Sequence, residues 1–451
     1  MQAGKGRGAH LEPRVLSISF EEAFRFWLKL GFISFGGPTG QIAIMHQELV
    51  ERRRWISENR FLHALNYCML LPGPEATQLA TYIGWIMHRT WGGIVAGILF
   101  VLPSVFILIA LSWIYLAYGD VPVVAGLFYG IKPAVVAIVL AAAHRIGSRA
   151  LKNAWLWAIA AAAFVAIFAL NVPFPAIVIA AAVIGYFGGR YVPARFSAAG
   201  SHGTPKADYG PALIDDGTPT PSHALFSWRK LWFYAGAGVA LWAAAIAALA
   251  AAFGWSGTLT QMGWFFTKAA LLTFGGAYAV LPYVYQGGVE HYGWLSAQQM
   301  IDGLALGETT PGPLIMVVAF VGFVGGWTKE LFGDSLFLAG AAGAVVATVF
   351  TFLPSFVFIF VGAPFVETTH GNLKFTAPLT AITAAVVGVI LNLAVFFAYH
   401  VLWPEGFGGP FEWFSALLGA AALLALFRFK AGVIPVIAAC AALGEIKWLL
   451  T

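Results

Sequence analysis

Long apolar segments alternate with short polar segments along most of this chain. At 1.5 Å per helical residue, each apolar segment is about long enough to cross the roughly 30 Å hydrocarbon core of a bilayer. The pattern therefore predicts an all-α polytopic membrane protein. The segments are 94–118, 121–143, 155–172, 231–253, 339–364 and 379–399.

Two further apolar stretches are interrupted near their middle by Gly and Pro. Residues 24–45 contain Phe35-Gly36-Gly37-Pro38, and residues 61–87 contain Pro72-Gly73-Pro74. Because proline removes a backbone donor and clashes with the preceding turn, each stretch should form two half-helices. A break exposed to lipid would leave unpaired N–H and C=O groups. The breaks are therefore expected to converge on one polar site near the middle of the bilayer.

The same pattern occurs twice. At a spacing of about 239 residues, Lys29, the Phe-Gly-Gly break and the Pro-Gly-Pro break match Lys268, Phe274-Gly275-Gly276 and Pro311-Gly312-Pro313. Each copy carries Glu-x₃-Trp-x-Ser between its breaks, at 51–57 and 290–296. Leu102-Pro103-Ser104 matches Leu353-Pro354-Ser355 further along. Repeated apolar units with broken helices are typical of secondary transporters.

The repeats define the domain organisation. We predict an N-terminal segment (1–20), a first transmembrane repeat (21–190), a linker (191–230), a connecting transmembrane helix (231–257) and a second transmembrane repeat (258–451). The linker is rich in Gly, Pro, Ser and Asp and shows no helical period. Such a composition predicts a mobile, solvent-exposed loop.

Charge is scarce and is concentrated in loops. Charged residues make up 10% of the chain and hydrophobic residues 60%, which excludes an ordinary soluble domain. Basic residues fill the loops at 52–60, 145–152 and 190 onward, and the equivalent loops of the second repeat lack this excess. The positive-inside rule then predicts inverted repeats, with the N-terminus and linker cytoplasmic and the C-terminus outside. The net charge of +5 reports this topology and indicates no nucleic-acid partner.

The breaks are the candidate binding site. A half-helix that restarts after a break presents free N–H groups and the positive end of its dipole, which favours an anion. The bland alternative for each break is a packing kink, and for each lysine it is snorkelling to the interface. The predicted substrate-binding residues are Lys29, Gly36, Gly37, Pro38, Pro72, Gly73, Pro74, Thr77, Gln78, Lys268, Gly275, Gly276, Thr310, Pro311, Gly312 and Pro313.

Four ionisable residues in apolar surroundings are candidates for proton coupling: Glu75, Glu308, His63 and Asp302. Capping of a half-helix is the alternative role for Glu75, and a structural role is the alternative for His63. We identify no catalytic residue, metal site or cofactor motif, and the two cysteines suggest no disulfide framework. Thr77 and Gln78 correspond to Met316 and Val317, so the first repeat is expected to hold more of the polar contacts.

The linked motifs resemble those of the chromate ion transporter (CHR) family in its long, bidomain form. The resemblance rests on Lys29-Leu-Gly-x₃-Phe-Gly-Gly-Pro-Thr-Gly, Trp55-Ile-Ser, Leu71-Pro-Gly-Pro-Glu-Ala-Thr-Gln and Phe100-Val-Leu-Pro-Ser. It implies a multi-pass inner-membrane protein that exports chromate, driven by the membrane potential or a proton gradient, and that is not an enzyme. The implied partners are chromate or sulfate and the lipid bilayer, and a homodimer is left open. A sulfate or other oxyanion transporter and an anion channel are the alternatives.

Overall fold

The computed structural model describes residues 18–35, 37–119, 121–196, 209–369 and 376–450, and this part of the chain is helical. The first repeat and the linker contain α1 (Phe20–Ile33), α2 (Gly37–His46), α3 (Glu58–Cys68), α4 (Glu75–Tyr118), α5 (Pro122–Ala150), α6 (Ala154–Leu170), α7 (Phe174–Tyr191) and α8 (Pro193–Phe196). The connecting helix is α9 (Trp228–Phe253). The second repeat contains α10 (Thr258–Leu272), α11 (Leu281–Tyr285), α12 (Ala297–Thr309), α13 (Val317–Thr328), α14 (Leu336–Thr369), α15 (Thr376–Leu402), α16 (Trp413–Phe427) and α17 (Val433–Leu450).

Seven helices within the described residues are long and apolar enough to cross a membrane: α4, α5, α7, α9, α14, α15 and α17. Helix α4 consists of two arms, because His88 and Arg89 have non-helical backbone angles and separate them. The predicted all-α polytopic fold is confirmed. One continuous apolar core runs through both repeats.

The Gly and Pro breaks separate helices as predicted. Helix α1 ends at Ile33 and α2 begins at Gly37, while α3 ends at Cys68 and α4 begins at Glu75. Pro74 is the N-cap residue of α4, a position where an extended backbone and a missing N–H cost the helix nothing. In the second repeat a 3₁₀ turn at Leu314–Met316 comes between Pro313 and α13.

The repeated Glu-x₃-Trp-x-Ser motif shapes the chain between the two breaks. In each repeat a π-helical turn, Gln47–Arg52 or Gln286–His291, precedes a buried tryptophan. The serine then caps the next helix: Ser57 accepts from the Arg60 N–H at 3.3 Å, and Ser296 accepts from the Gln299 N–H at 3.1 Å. The motif is thus structural, and it aims α3 and α12 at their breaks.

The two repeats exchange helices. Helix α5 of the first repeat packs against α16 and α17 of the second, and α15 of the second packs against α6 and α7 of the first. Small residues allow the close approach: a Cβ built on Gly130 of α5 would lie 2.8 Å from the Gly444 Cα of α17. Neither repeat could bury these faces without the other.

The linker differs from the prediction of a mobile, solvent-exposed loop in the part that is described. Residues 209–227 dock on the first repeat. Ile214 pairs with Ile56 in an isolated parallel bridge, and its N–H donates to the Trp55 carbonyl at 3.0 Å. Asp216 accepts from Ser57 Oγ at 2.5 Å. The polar groups of this part of the linker bond to the loop that contains Trp55 and Ser57, whereas a solvent-exposed loop would bond to water.

Candidate functional site

The two Phe-Gly-Gly breaks and the two Pro-Gly-Pro breaks meet crosswise. The Gly73 N–H donates to the Thr273 carbonyl at 2.8 Å, and the Gly312 N–H donates to the Ser34 carbonyl at 2.7 Å. Thr273 and Ser34 directly precede the Phe-Gly-Gly sequences. Each Pro-Gly-Pro break is therefore bonded to the Phe-Gly-Gly break of the other repeat, and the two contacts involve equivalent positions. These bonds satisfy backbone groups that the breaks would otherwise leave unpaired.

We call the pairing of Gly73 with Thr273 and of Gly312 with Ser34 the crossing. Serines of the two Leu-Pro-Ser sequences add further hydrogen bonds to it. The Ser104 hydroxyl donates to the Pro311 carbonyl, and the Gln78 amide donates to Ser355 Oγ at 3.4 Å and to the Pro72 carbonyl at 2.8 Å. Ser104 lies on α4 and Ser355 on α14. A long helix of each repeat thus supports the Pro-Gly-Pro break of the other.

Glycine is required at the centre of each Pro-Gly-Pro break. Gly73 and Gly312 have φ of +121° and +96°, in the region that side chains disfavour. A Cβ on Gly73 would lie 2.4 Å from Ser355 Oγ, and one on Gly312 would lie 2.0 Å from Ser104 Oγ. Both the backbone angle and the close packing exclude a side chain here.

Polar atoms without partners are buried beside the breaks. Among the described residues, Ser34 Oγ, Gln41 Oε1, Thr77 Oγ1 and Gln78 Oε1 are buried and accept or donate no hydrogen bond. The Gln41 amide is held by the Gly312 carbonyl, so its unpartnered oxygen has a fixed position. Buried polar atoms are nearly always satisfied by protein, water or ligand. Their grouping at the crossing marks a polar site.

A cavity of about 970 Å³ adjoins the crossing. Both Phe-Gly-Gly regions line it, through Pro38 and Thr39 from the first repeat and Gly275 and Gly276 from the second. Glu75, the first residue of α4, lies on the same wall. The cavity therefore gives a solute direct access to the breaks of both repeats.

The charge around this cavity is strongly positive. Its charged lining residues are Arg145, Arg149, Lys152 and Arg195 against the single carboxylate of Glu75. Arg145, Arg149 and Lys152 belong to the end of α5 and the loop after it, and Arg195 to α8. A recess lined mainly by cations raises the local concentration of anions.

Two buried carboxylates come from α12 of the second repeat. Glu308 accepts a hydrogen bond from the Tyr278 hydroxyl, and Tyr278 lines the cavity. Asp302 accepts from the Tyr115 hydroxyl at 2.8 Å, and its Oδ2 lies 3.7 Å from Lys132 Nζ. Lys132, on α5, therefore has a buried partner. The equivalent of Asp302 in the first repeat is His63, whose Nε2 lies 3.2 Å from the Val366 carbonyl.

Several predicted site residues lie apart from the cavity. Lys29 is exposed on α1, and Lys268 lines a separate cavity of about 500 Å³ with Asn171, Glu290 and His291. The Thr310 hydroxyl donates to the Gly307 carbonyl of its own helix. Gly37 has φ of +69°, and Gly36 lies outside the described residues. The remaining predicted residues, Pro72, Pro74, Pro311 and Pro313, form the crossing itself.

Sequence reasoning missed Ser34, Gln41, Tyr278 and Arg145 as site residues. Ser34 and Gln41 flank the first break, and proximity to that break was the available signal. In the sequence, Arg145 belongs to a basic segment that is interpreted as setting the orientation of the protein in the membrane. Its approach to the breaks depends on how α5 packs, which no local pattern indicates.

The site offers hydroxyl and backbone donors, a cationic approach and buried carboxylates. Donors next to a positive recess suit a tetrahedral oxyanion. The described residues contain no group of three or more His, Cys, Asp or Glu that could hold a metal ion.

Comparisons with known proteins agree with this chemistry. A family model described as "Chromate transporter" matches residues 22–186 and 260–445. The chain is 35% identical over 381 residues to the "Chromate transport protein" of Pseudomonas aeruginosa, covering 83% of this chain and 80% of that one. It is 29% identical over 431 residues to the "Chromate transport protein" of Cupriavidus metallidurans, covering 95% and 92%.

A "Probable chromate transport protein" of Synechococcus elongatus is 29% identical over 387 residues, which cover 86% of each chain. No solved structure matches the chain significantly. Because the family model covers most of both repeats, the chain belongs to the chromate transporter family.

Proposed function

We propose that this protein is a secondary active transporter that exports chromate across the cytoplasmic membrane. One observation carries the proposal: the breaks of both repeats pair crosswise beside a cavity lined by four basic side chains. The names of three relatives that align over most of the chain support chromate as the substrate.

The binding step uses the backbone and the neutral side chains of the crossing. In this proposal a tetrahedral dianion passes from the cavity to the N-terminus of α4 and to the buried, unpartnered hydroxyls of Ser34 and Thr77 beside the breaks. Donors fixed in this way stabilise negative charge without reorganising. We place chromate among the breaks of both repeats, away from Lys29 and Lys268, which do not line the cavity.

We further propose that the repeats are inverted in the membrane and rock about this site. Loop charge supports an orientation with the N-terminus, the linker and the cationic cavity in the cytoplasm and the C-terminus outside. Reporter fusions at Thr451 test the orientation. An external reporter is expected, and a cytoplasmic one would contradict inversion.

The energy source in this scheme is the membrane potential or a proton gradient. Glu75, Glu308, Asp302 and His63 are the candidates for carrying a coupled proton. Glu75 has the most direct access, since it lines the cavity. The Glu75→Gln variant should show a flatter pH dependence of chromate flux, and an unchanged profile would remove Glu75 from coupling.

Transport into energised everted vesicles tests the function as a whole. Uptake of chromate should saturate, should fall with an uncoupler and should depend on the expressed protein. Competition by sulfate measures whether sulfate is a second substrate. Ohmic chromate currents in a planar bilayer would instead identify an anion channel, and no uptake in energised vesicles would contradict the proposal.

A further inference from the structure

Arg145 is one of the four basic residues that line the cavity. It is on α5, near the helix end, and lines the cavity together with Gly275, Gly276 and Glu75. It is exposed to that space, so its guanidinium is accessible to a solute. A guanidinium can bind two oxygens of one oxyanion at once, which an ammonium group cannot do in the same fixed geometry.

A tyrosine and a carboxylate of the second repeat lie near Arg145. The guanidinium of Arg145 lies within electrostatic range of both the Tyr278 hydroxyl and the Glu308 carboxylate. Tyr278 and Glu308 are buried and bonded to each other. Arg145 therefore faces the cavity near the Gly-Gly break, which lies two residues before Tyr278.

The other basic residues of the cavity differ in their surroundings. Arg149 and Lys152 are exposed and follow Arg145 along the chain. Arg149 lies in the last turn of α5, and Lys152 lies just beyond its end. Lys152 donates to the Ser148 carbonyl of its own segment at 3.4 Å. These side chains can attract an anion through the field of the recess without holding it in one place.

We propose that Arg145 binds the oxyanion directly at the entrance to the breaks and that Tyr278 and Glu308 are its positioning residues. The inference rests on the proposed transport function. Arg149 and Lys152 concentrate the anion without binding it in a defined geometry. Phe396 occupies the position of Arg145 in the second repeat, so only the first repeat supplies this cation.

Concentration-dependent chromate uptake in everted vesicles separates binding from attraction. Arg145→Gln should raise the KM for chromate about ten-fold or more, because it removes a charge-assisted contact. Arg145→Lys should recover part of that loss. Arg149→Gln and Lys152→Gln are matched controls, since each removes one positive charge from the same region, and each should change KM only at low ionic strength.

Equilibrium binding of radiolabelled chromate to purified protein gives a second readout if Arg145→Gln inserts poorly. Arg145→Lys keeps the charge and should bind chromate more weakly than the wild type, while Glu308→Gln should shift chromate affinity without removing binding. An unchanged KM for Arg145→Gln in active vesicles, or an equal rise for Arg149→Gln, would overturn the assignment and leave the transport function standing. Failure of the wild type to take up chromate would overturn both.

Discussion

The crossings at Gly73 and at Gly312 share one backbone geometry and differ in their side chains. Each glycine N–H bonds to the residue before the opposite Phe-Gly-Gly sequence. Around this common frame the first repeat supplies Gln41, Thr77 and Gln78, whose equivalents are Val280, Met316 and Val317. The second repeat supplies Asp302 and Glu308, whose equivalents are His63 and Met69.

The difference indicates that duplication built the frame and later divergence divided the chemistry. Neutral hydrogen-bonding groups suited to an oxyanion lie on the first repeat together with Glu75, and the two buried carboxylates Asp302 and Glu308 lie on the second. Cross-pairing brings the two sets together, because each Pro-Gly-Pro break is bonded into the opposite repeat. A transporter made from either repeat alone would lack one set.

The largest loss of transport is expected from changes at Gly73 and Gly312, the glycines that occupy equivalent positions in the two crossings. Gly73→Leu and Gly312→Leu should each lower chromate transport by more than about 100-fold, because a side chain there combines an unfavourable φ with overlap of Ser355 or Ser104. Pro74→Ala should be milder, since proline at a helix start is replaceable. Vesicle uptake normalised to membrane abundance measures this, and a harmless Gly312→Leu would show that only one crossing matters.

The next largest effect concerns the buried carboxylate of Asp302 in the second repeat. Lys132→Gln should destabilise the protein by about 3–5 kcal/mol, because it leaves the buried Asp302 carboxylate without its cation, and Asp302→Asn should cost less, because Lys132 is partly exposed. The double variant should recover part of that loss. His63→Asn, at the matched position of the first repeat, should cost less. Thermal unfolding in detergent measures all four, and additive losses in the double variant would contradict a coupled pair.

Transport should also depend on the neutral polar side chains of the first repeat. Gln41→Val and Gln78→Val copy the side chains of the second repeat and should each raise the KM for chromate about ten-fold through a lost polar contact. Val280→Gln and Val317→Gln serve as mirror controls and should not lower KM. Equal effects of the two pairs would remove the asymmetry between the repeats.

The smallest effect is expected in the docked linker. Asp216→Ala removes the acceptor for Ser57 and should weaken docking by about 1 kcal/mol or less, with transport close to that of the wild type. Limited proteolysis of vesicles should show faster cleavage within 209–227. A large loss of transport would mean that the docked segment contributes to the site.

Much of the fold could be predicted from the sequence, because the rules involved are local. Apolar length indicates membrane helices, and Gly and Pro interrupt a helix wherever they occur, so α1, α3 and α4 end or begin beside the breaks as predicted. The pairing of Gly73 with Thr273 could not be predicted, because a repeat shows which positions are equivalent and not which ones touch.

Side-chain roles were harder to predict where they depend on packing between distant helices. Lys29 and Lys268 occupy matching positions, yet neither lines the central cavity. Arg145 lacks a matching cation but reaches the cavity because α5 crosses into the second repeat. The linker docks through Ile214, an apolar residue within a polar stretch, which was the available sign that part of the linker is ordered.

The central claim is that chromate binds where the breaks of the two repeats cross. Equilibrium binding of radiolabelled chromate to purified, monodisperse protein tests it without the complications of energisation. The wild type and the Lys29→Gln control should bind chromate saturably, whereas folded Gly73→Leu and Gly312→Leu should not. Wild-type affinity in either glycine variant would contradict a site at the crossing.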